Sequence, residues 1–349
     1  MNTIRMGIVG AGSIGELTAI DLSRHPNVDL VAVADANEKR CLQLAARLDV
    51  PHAFATAGDL FAAELDAVYI AVPNAMHATL AKQALNTGLH VMLEKPFALN
   101  LEEARSVADT ASRTGNTLIV GMNQRFERNV QRARALVAEG ALGEVYHAKA
   151  FWRRRSGIPR IGSWFTDRAS AGGGALLDIG VHMLDACLFV LDNFRPLSVS
   201  GATYTRLGNR GIGDGTWGSS EREHRHFDVD DFTTALIRLE GGVTLSLDAS
   251  WALHQQDAND QEILLYGDEA GASVYAHRHY RFGAQGEYHI IEGAREGAIA
   301  YAHCNRAQHF VNVLLGEEQP AVTVEQALTV QSILDAIYVS AQTCQEVRL

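Results

Sequence analysis

The stretch that decides the fold is IRMGIVGAGSIGELTAIDLSRHPNVDLVAVAD, residues 4–35. It contains a short apolar run, a glycine-rich turn, a helix-forming segment and a second apolar run, at residues 4–9, 10–15, 16–24 and 28–34. This order predicts a strand, a tight turn, a helix and a second strand. A glycine-rich turn alone is weak evidence of function, but in this context it indicates a dinucleotide-binding βαβ unit.

Each glycine of the turn has a mechanical role in that prediction. Gly10 permits the tight turn, Gly12 lets the backbone approach a pyrophosphate, and Gly15 lets the helix lie close to the strand. The helix would begin with unpaired N–H groups and a partial positive charge directed at the phosphates. We therefore expect the cofactor to contact Gly10, Gly12, Ser13, Ile14 and Gly15.

Asp35 lies at the end of the second predicted strand, twenty residues after Gly15. A carboxylate at this place can accept both ribose hydroxyls of NAD and would repel the 2′-phosphate of NADP. The sequence therefore favours NAD as the cofactor. Arg40 is near enough in sequence to keep NADP open as the less favoured alternative.

The whole chain has the composition of an ordinary globular protein, with 349 residues, 47% hydrophobic and 20% charged. This length predicts about two domains. The net charge of −11 argues against nucleic acid or an anionic membrane as a partner. Four scattered cysteines and the lack of a secretory leader predict a cytoplasmic protein. We see no apolar run long enough to span a bilayer.

The fold class expected from the pattern is α/β. Strand-like and helix-like segments alternate up to residue 122, which predicts a doubly wound parallel sheet in a first domain, residues 1–122. From residue 123 the pattern changes to a helix, a strand, an irregular stretch at 153–174, a second helix, and then strand after strand. We therefore predict a second domain, residues 123–349, with a large, open, mostly antiparallel sheet.

Glu94-Lys95-Pro96 follows a predicted strand of the first domain, and ligands of open α/β sheets bind at that edge. A lysine there is a candidate to polarise or protonate a substrate oxygen. Pro96 stiffens the turn, and its peptide bond is a candidate for the cis form. A surface lysine before a loop proline is the plain alternative.

The run Gly172-Gly173-Gly174 leads into a predicted helix that carries Asp178 and His182. These two residues are four apart, so they lie on adjacent parts of one helix face, and Asp185 continues it. An aspartate one turn from a histidine can hold the imidazole in one tautomer, as a general base for an alcohol proton requires. We therefore identify Asp178 and His182 as a candidate proton-transfer pair.

Other polar groups are more ambiguous. Arginines cluster at 153–155 and 160, and Arg154 among them is a candidate ligand of the substrate, although such clusters are often solvated. Trp164 is a candidate to stack on a sugar ring, or a core residue. The HxH pairs at 224/226 and 277/279 lack an obvious third ligand, so we expect no metal. Residues 208–225 are glycine-rich, and we expect a loop that is either a lid or a surface insertion.

With these residues in place, the chain resembles the glucose–fructose oxidoreductase, inositol dehydrogenase and rhizopine catabolism (Gfo/Idh/MocA) family almost from end to end. The motifs that carry the resemblance occur in the family's order: the glycine turn at 10–15, Pro73-Asn74 with His77, Glu94-Lys95-Pro96, and Asp178 to His182. The resemblance implies an NAD(P)-dependent oxidoreductase that acts on a secondary hydroxyl or keto group of a sugar, sugar derivative or cyclitol. It also implies a homodimer or homotetramer assembled through the open sheet.

The resemblance also implies roles for individual residues. Lys95, Asp178 and His182 would be catalytic and would contact the substrate, and the cofactor would further be lined by Pro73, Asn74, His77, Glu94, Lys95 and Asn123. We hypothesise that His182 removes the hydroxyl proton, Asp178 orients His182, and Lys95 stabilises the developing charge on the oxygen. Two alternatives remain: an NAD-dependent glycosidase that passes through a transient keto-sugar, and a non-catalytic sugar or nucleotide sensor.

Overall fold

The computed structural model describes residues 3–215, 226–292 and 299–349. Contacts between residues divide the chain into two compact units. One unit comprises the residues up to Met122 together with Asn305–Gln331, and the other comprises Asn123–Cys304 together with Ser332–Leu349. Residues 216–225, which belong to the predicted glycine-rich loop and include His224, therefore lie outside the described residues.

The first unit is built on a parallel sheet. Its strands are β1 (Ile4–Val9), β2 (Val28–Ala34), β3 (His52–Phe54), β4 (Ala67–Ile70), β5 (His90–Leu93) and β6 (Leu118–Val120). They lie in the order β3-β2-β1-β4-β5-β6, and each described pairing is parallel. The connecting helices are α1 (Ser13–Ser23), α2 (Glu38–Arg47), α3 (Ala57–Phe61), α4 (His77–Asn86) and α5 (Leu101–Thr114). The strand order reverses beside β1, which is where doubly wound sheets bind nucleotides.

Local sequence explains where these helices begin and end. The side chain of Asn37 accepts a hydrogen bond from Arg40 N at the start of α2, as predicted for an N-cap. Asn100 caps α5 in the same way, and Gly115 ends that helix with a positive φ of 73°. The short elements β3 and α3 were not anticipated, because an exposed three-residue strand leaves little hydrophobic pattern to read.

The second unit contains a longer mixed sheet. Its elements are α6 (Arg128–Ala138), β7 (Val145–Arg154), α7 (Arg168–Ala171), a π-helical turn (Leu176–Gly180), α8 (Val181–Leu191), β8 (Pro196–Tyr204), β9 (Phe232–Leu239), β10 (Thr244–Ser250), β11 (Asn259–Gly267), β12 (Gly271–Ser273), β13 (Arg278–Phe282), β14 (Tyr288–Glu292) and β15 (Val347–Arg348). The strand order is β14-β13-β12-β11-β7-β10-β9-β8-β15, and only β7 and β10 pair in parallel. The predicted mostly antiparallel sheet is confirmed.

One face of this sheet is buried and the other is open. Along β9, Thr233, Ala235, Ile237 and Leu239 are buried, whereas Leu236 and Arg238 between them are exposed. The same alternation in β10 was predicted from its sequence. The π-helical turn and α8 pack on β7 and β10. The predicted helix that carries Asp178 and His182 therefore lies on the covered face.

Two helices end the chain, α9 (Arg306–Leu314) and α10 (Val324–Thr343). The contacts group α9 and the beginning of α10 with the first unit, although the predicted division assigned all of 123–349 to the second domain. The sequence indicated no membrane span. The stretch Arg168–Leu191 is long and apolar enough to cross a membrane by length and composition, but 89% of its 18-residue apolar window is buried inside the structure. A buried core helix has this composition, because it is surrounded by apolar side chains on all sides.

Candidate active site

The glycine turn has the shape predicted for a pyrophosphate cradle. Gly10 has φ = +100°, and a Cβ there would lie 2.1 Å from Ala71 O. A Cβ on Gly15 would lie 1.9 Å from Gly10 O, so neither position has room for a side chain. A Cβ on Gly12, in contrast, would meet nothing within 4 Å. The two outer glycines are required by the fold, and the middle one faces open space.

Helix α1 begins at this open space. Gly12 is its N-cap residue and has no side chain to occupy the first N–H groups. Ser13 and Ile14 in the first turn are exposed. A dinucleotide pyrophosphate fits this arrangement, because unpaired N–H groups and the helix dipole both favour an anion.

Asp35 is tied to the turn. Ala11 N donates to Asp35 Oδ2 at 2.7 Å, Asn37 N donates to Oδ1 at 2.7 Å, and Arg40 Nη2 lies 3.2 Å from Oδ1. The carboxylate therefore holds the end of β2 against the glycine turn. Two carboxylate oxygens offer about four acceptor positions, and these three donors use three of them, so Asp35 retains about one position for a ribose hydroxyl.

Glu94 occupies a buried polar cluster at the end of β5. Its Oε1 accepts a short hydrogen bond from the Tyr69 hydroxyl and pairs with Arg306, and its Oε2 accepts the Lys95 N–H at 3.2 Å. Burial acts to raise the pKa of Glu94, but Arg306, Tyr69 and Lys95 together lower the pKa below its usual value. The Lys95–Pro96 peptide bond is cis, the form considered from the sequence.

The other predicted cofactor residues have diverse environments. His77 is fully buried, and its ring nitrogens lie 2.8 Å from Pro96 O and 3.0 Å from Val72 O. Burial lowers the pKa of His77, and the two carbonyl oxygens oppose this shift. Asn74 is buried at the start of a short 3₁₀ turn, directly after Pro73. Asn123 belongs to the second unit, and its Oδ1 is buried without a hydrogen-bond partner among the described residues.

Asp178 lies in the π-helical turn and is fixed by a tryptophan. Trp251 Nε1 donates to Asp178 Oδ2 at 2.9 Å, and Trp251 itself is fully buried just after β10. A π turn inside a longer helix is uncommon and often marks a functional site. A Cβ on Gly180 would lie 2.9 Å from Ala249 Cβ, so this glycine permits the turn to approach β10 closely.

His182 is the second residue of α8 and lies beside an aromatic side chain that also contacts a cation. Its ring centroid is 6.3 Å from that of Trp152, and the Arg154 guanidinium lies over the same indole at 4.6 Å. Burial lowers the pKa of Arg154, and the Asp178 carboxylate opposes this shift. The second unit thus brings together Asp178, His182 and Arg154 with the two tryptophans, 152 and 251.

The strand geometry explains why only one of the clustered arginines joins this group. Strand β7 continues to Arg154, two residues further than predicted, so neighbouring side chains point to opposite faces. Arg153 pairs with Asp260 at 2.5 Å and lies 3.8 Å from Asp248. Arg155 Nη1 donates to Gln256 O. Arg154 alternates with Arg153 and is directed to the face that the helix covers.

A clamp that sequence reasoning missed shapes the start of the helix that carries Asp178 and His182. Asp230 is buried and accepts hydrogen bonds from Gly174 N (2.7 Å), Leu176 N (2.9 Å) and the Tyr338 hydroxyl (2.7 Å). A Cβ on Gly174 would lie 1.9 Å from Asp230 O, and one on Gly173 would lie 1.9 Å from the Tyr338 hydroxyl. The glycine run was the only sequence signal of this clamp.

Three further expectations have different outcomes. Asp185 does not continue the proton-transfer face, because it is buried and forms a two-point ion pair with Arg125. Trp164 stacks on Phe165 with centroids 3.8 Å apart, and its sugar-stacking role stays a prediction. His226 Nε2 lies 3.6 Å from Asp167 Oδ1 and 3.3 Å from Asp228 Oδ2, so two acidic neighbours that the sequence did not indicate surround it on the surface.

Comparison with known proteins identifies the family. A family profile described as "Oxidoreductase family, NAD-binding Rossmann fold" (GFO_IDH_MocA) matches residues 4–122, and the Gfo/Idh/MocA C-terminal domain profile matches residues 130–273. The chain belongs to the Gfo/Idh/MocA oxidoreductase family. It is an NAD(P)-dependent oxidoreductase of sugar-type substrates, as the resemblance implied.

Individual relatives match from about three fifths to all of the chain. D-Glucoside 3-dehydrogenase of Escherichia coli K12 is 32% identical over 99% of this chain and 97% of its own length. Inositol 2-dehydrogenase of Rhizobium meliloti is 32% identical over 61% of this chain and 62% of its own. The crystal structure of GenD2 from gentamicin A biosynthesis in complex with NAD superposes with a TM-score of 0.81, at 26% identity, over 100% of this chain and 97% of that one.

Proposed function

We propose that the protein oxidises a secondary hydroxyl of a hexopyranoside with NAD, and that a D-glucoside oxidised at its 3-hydroxyl is the first substrate to test. The observation that carries this proposal is the group Asp178, His182 and Arg154 with Trp152 and Trp251, since it offers a carboxylate, an imidazole, a cation and an aromatic surface. The name of the full-length E. coli relative supports the choice of carbon.

Each residue has a distinct task in the proposed reaction. His182 accepts the hydroxyl proton, and Asp178, held by Trp251, orients the substrate and the imidazole. Lys95 donates a hydrogen bond to the same oxygen and stabilises its developing negative charge. Arg154 and Trp164 contact the sugar. A nicotinamide held by the first unit would supply the acceptor for the hydride.

The cofactor proposal extends to single residues. The pyrophosphate is bound by Gly10, Gly12, Ser13, Ile14 and Gly15. The ribose is bound by Asp35. The remaining cofactor contacts come from Pro73, Asn74, His77, Glu94, Lys95 and Asn123. The open space at Gly12 and the residual acceptor capacity of Asp35 support this assignment. We expect NAD to be preferred over NADP, since a carboxylate repels the 2′-phosphate. We also infer a cytoplasmic location, which the free cysteines support.

The deciding experiment is nicotinamide absorbance with NAD and then NADP, across D-glucosides, free monosaccharides, cyclitols, anhydrosugars and uronates. We expect NADH to form with NAD and a D-glucoside, and the ketone to be at C3 by NMR. His182→Ala should bind NAD normally and lose most turnover. Release of free sugar without net NADH would favour the glycosidase. Tight NAD binding with no conversion in either direction would favour the sensor.

A further inference from the structure

The structure points to one residue that none of the sequence motifs contains. We propose that Arg306 is a positioning residue of the hydride-transfer site, and that it acts through the buried carboxylate of Glu94. This inference rests on the function proposed above. It concerns the first unit alone, to which both residues belong.

Arg306 is the first residue of α9 and is largely buried, with 17% of its side chain exposed. Besides its ion pair with Glu94 Oε1, its guanidinium donates to Gly121 O at 3.1 Å, Thr18 Oγ1 at 3.2 Å and the Tyr69 hydroxyl at 3.3 Å. All donors of a guanidinium lie in one plane. A single side chain therefore fixes four acceptors in relation to one another.

The four partners come from elements that meet at the carboxyl edge of the parallel sheet. Tyr69 is in β4, Glu94 follows β5, Gly121 follows β6, and Thr18 is in the helix that begins at the glycine turn. The fold makes room for the guanidinium, because a Cβ on Gly121 would lie 2.9 Å from Arg306 Nη1. Arg306 thus binds together the strand ends that the sequence motifs assign to the cofactor.

The charge of Arg306 decides the ionisation of Glu94. Burial alone would raise the pKa of Glu94, and Arg306 is the largest of the influences that lower it. The Tyr69 hydroxyl cannot replace it, since burial and the Glu94 carboxylate raise the pKa of Tyr69 well above its usual value and the phenol stays neutral. Removal of Arg306 therefore raises the pKa of Glu94.

The ionised carboxylate in turn holds the catalytic lysine. Glu94 Oε2 accepts the backbone N–H of Lys95, the residue proposed to stabilise the substrate oxygen. Protonation of Glu94 weakens this hydrogen bond, because a charged acceptor binds an N–H more strongly than a neutral one. The backbone that carries Lys95 then loses its fixed position.

The test uses Arg306→Met, with Arg113→Met as the control. Arg113 is an exposed arginine of α5 that bonds the Asn86 side chain. Thermal unfolding of the cofactor-free protein is measured from pH 5 to pH 8. In Arg306→Met the pKa of Glu94 is higher in the folded state than in the unfolded state. Protonated Glu94 therefore contributes to stability at low pH, and this contribution is lost as the pH rises through the folded-state pKa. We expect the Tm deficit of Arg306→Met to widen toward pH 8, and that of Arg113→Met to stay constant.

Turnover has the opposite dependence on pH. We expect kcat of Arg306→Met to be about 100-fold low at pH 6, as for a misplaced catalytic group, and to recover as Glu94 ionises toward pH 8, with KM for the sugar little changed. Arg306→Lys, which keeps the charge, should restore most of kcat. A protein whose Arg306 served packing alone would show a uniform loss without this pH dependence.

The double variant Arg306→Met/Glu94→Gln covers the case in which Arg306→Met does not fold. Removal of both partners leaves no buried charge, so we expect this variant to fold and its Tm to lose the pH dependence. Failure of the double variant to fold, or the same pH profile in Arg306→Met and Arg113→Met, would overturn the proposal. The Tm measurement needs no substrate, so it stays decisive even if the glucoside is not oxidised.

Discussion

At the scale of single residues, the hydrogen bond from Trp251 to Asp178 connects the core to the chemistry. Trp251 is fully buried in a cluster with Ile179, Ala249 and Ala252, so its indole has little freedom to move. A carboxylate that accepts a hydrogen bond from a rigid donor keeps its orientation. The aspartate therefore owes its position to the hydrophobic core as well as to its own helix.

Replacement of Trp251 by Phe tests this connection. Phe keeps an aromatic side chain, but it is smaller than the indole and has no N–H, so we expect stability to fall by about 1–3 kcal/mol from the lost hydrogen bond and the cavity. We expect kcat to fall roughly tenfold, since the orienting group can rotate. Steady-state kinetics with the best sugar would measure it, with Phe61→Leu, which shortens a buried ring of α3, as the control for lost core volume. An unchanged kcat in Trp251→Phe would show that Asp178 needs no such anchor.

Sequence reading found the residues that resemble a motif and missed those that support them. Asp178, His182 and Lys95 were identified from their spacing and their place after strands. Trp251 lies 73 positions from Asp178, and Arg306 lies 185 positions from Gly121, so no local pattern joins either residue to its partner. Contacts of this kind arise from the tertiary fold, which spacing in one sequence does not encode.

At the scale of elements, the start of the helix that carries Asp178 and His182 is held in place by close contacts. The glycine run predicted a helix start, and the structure adds the reason, which is the close approach of Asp230 and Tyr338. The sequence predicted a regular helix, with Asp178 and His182 one turn apart. The chain instead forms a π turn at Leu176–Gly180, because Gly180 allows the backbone to pack against Ala249.

Gly174→Ala should disturb this junction. Its Cβ would overlap Asp230 O at 1.9 Å, so the helix start or the 230 segment must move. We expect a loss of about 1–3 kcal/mol in the free energy of unfolding and a larger proportional loss of kcat. Chemical denaturation and kinetics would measure both. The control is Gly58→Ala in α3, where the new Cβ has ordinary contact with Thr56 and no loss of stability is expected.

At the scale of the whole molecule, the exposed face of the nine-stranded sheet in the described residues is the surface through which we expect a homodimer or homotetramer. It carries exposed Leu236 and Arg238 on β9, the third strand from one edge of the sheet. In a two-fold symmetric contact the same patch is used by both subunits, so one substitution changes the interface twice. A charge placed in an apolar contact is buried without a partner and weakens the association.

Leu236→Arg should reduce the molar mass in solution. We expect light scattering after size exclusion to give the unchanged protein as a dimer or tetramer and Leu236→Arg as a smaller species. Leu42 is also an exposed leucine and lies on α2 of the first unit. Leu42→Arg should therefore leave the molar mass unchanged. Equal masses for all three proteins would place the assembly surface elsewhere or show that the protein is a monomer.

The grouping of Asn305–Gln331 with the first unit has a consequence for biosynthesis. Ribosomes add about 5–20 residues per second, so Arg306, 185 positions after Gly121, emerges roughly 10–40 s later. During that interval Glu94 has no guanidinium to pair with, and the nascent nucleotide-binding sheet lacks a terminal helix that packs on α1. The cofactor domain therefore stays incomplete on the ribosome until α9 has been translated.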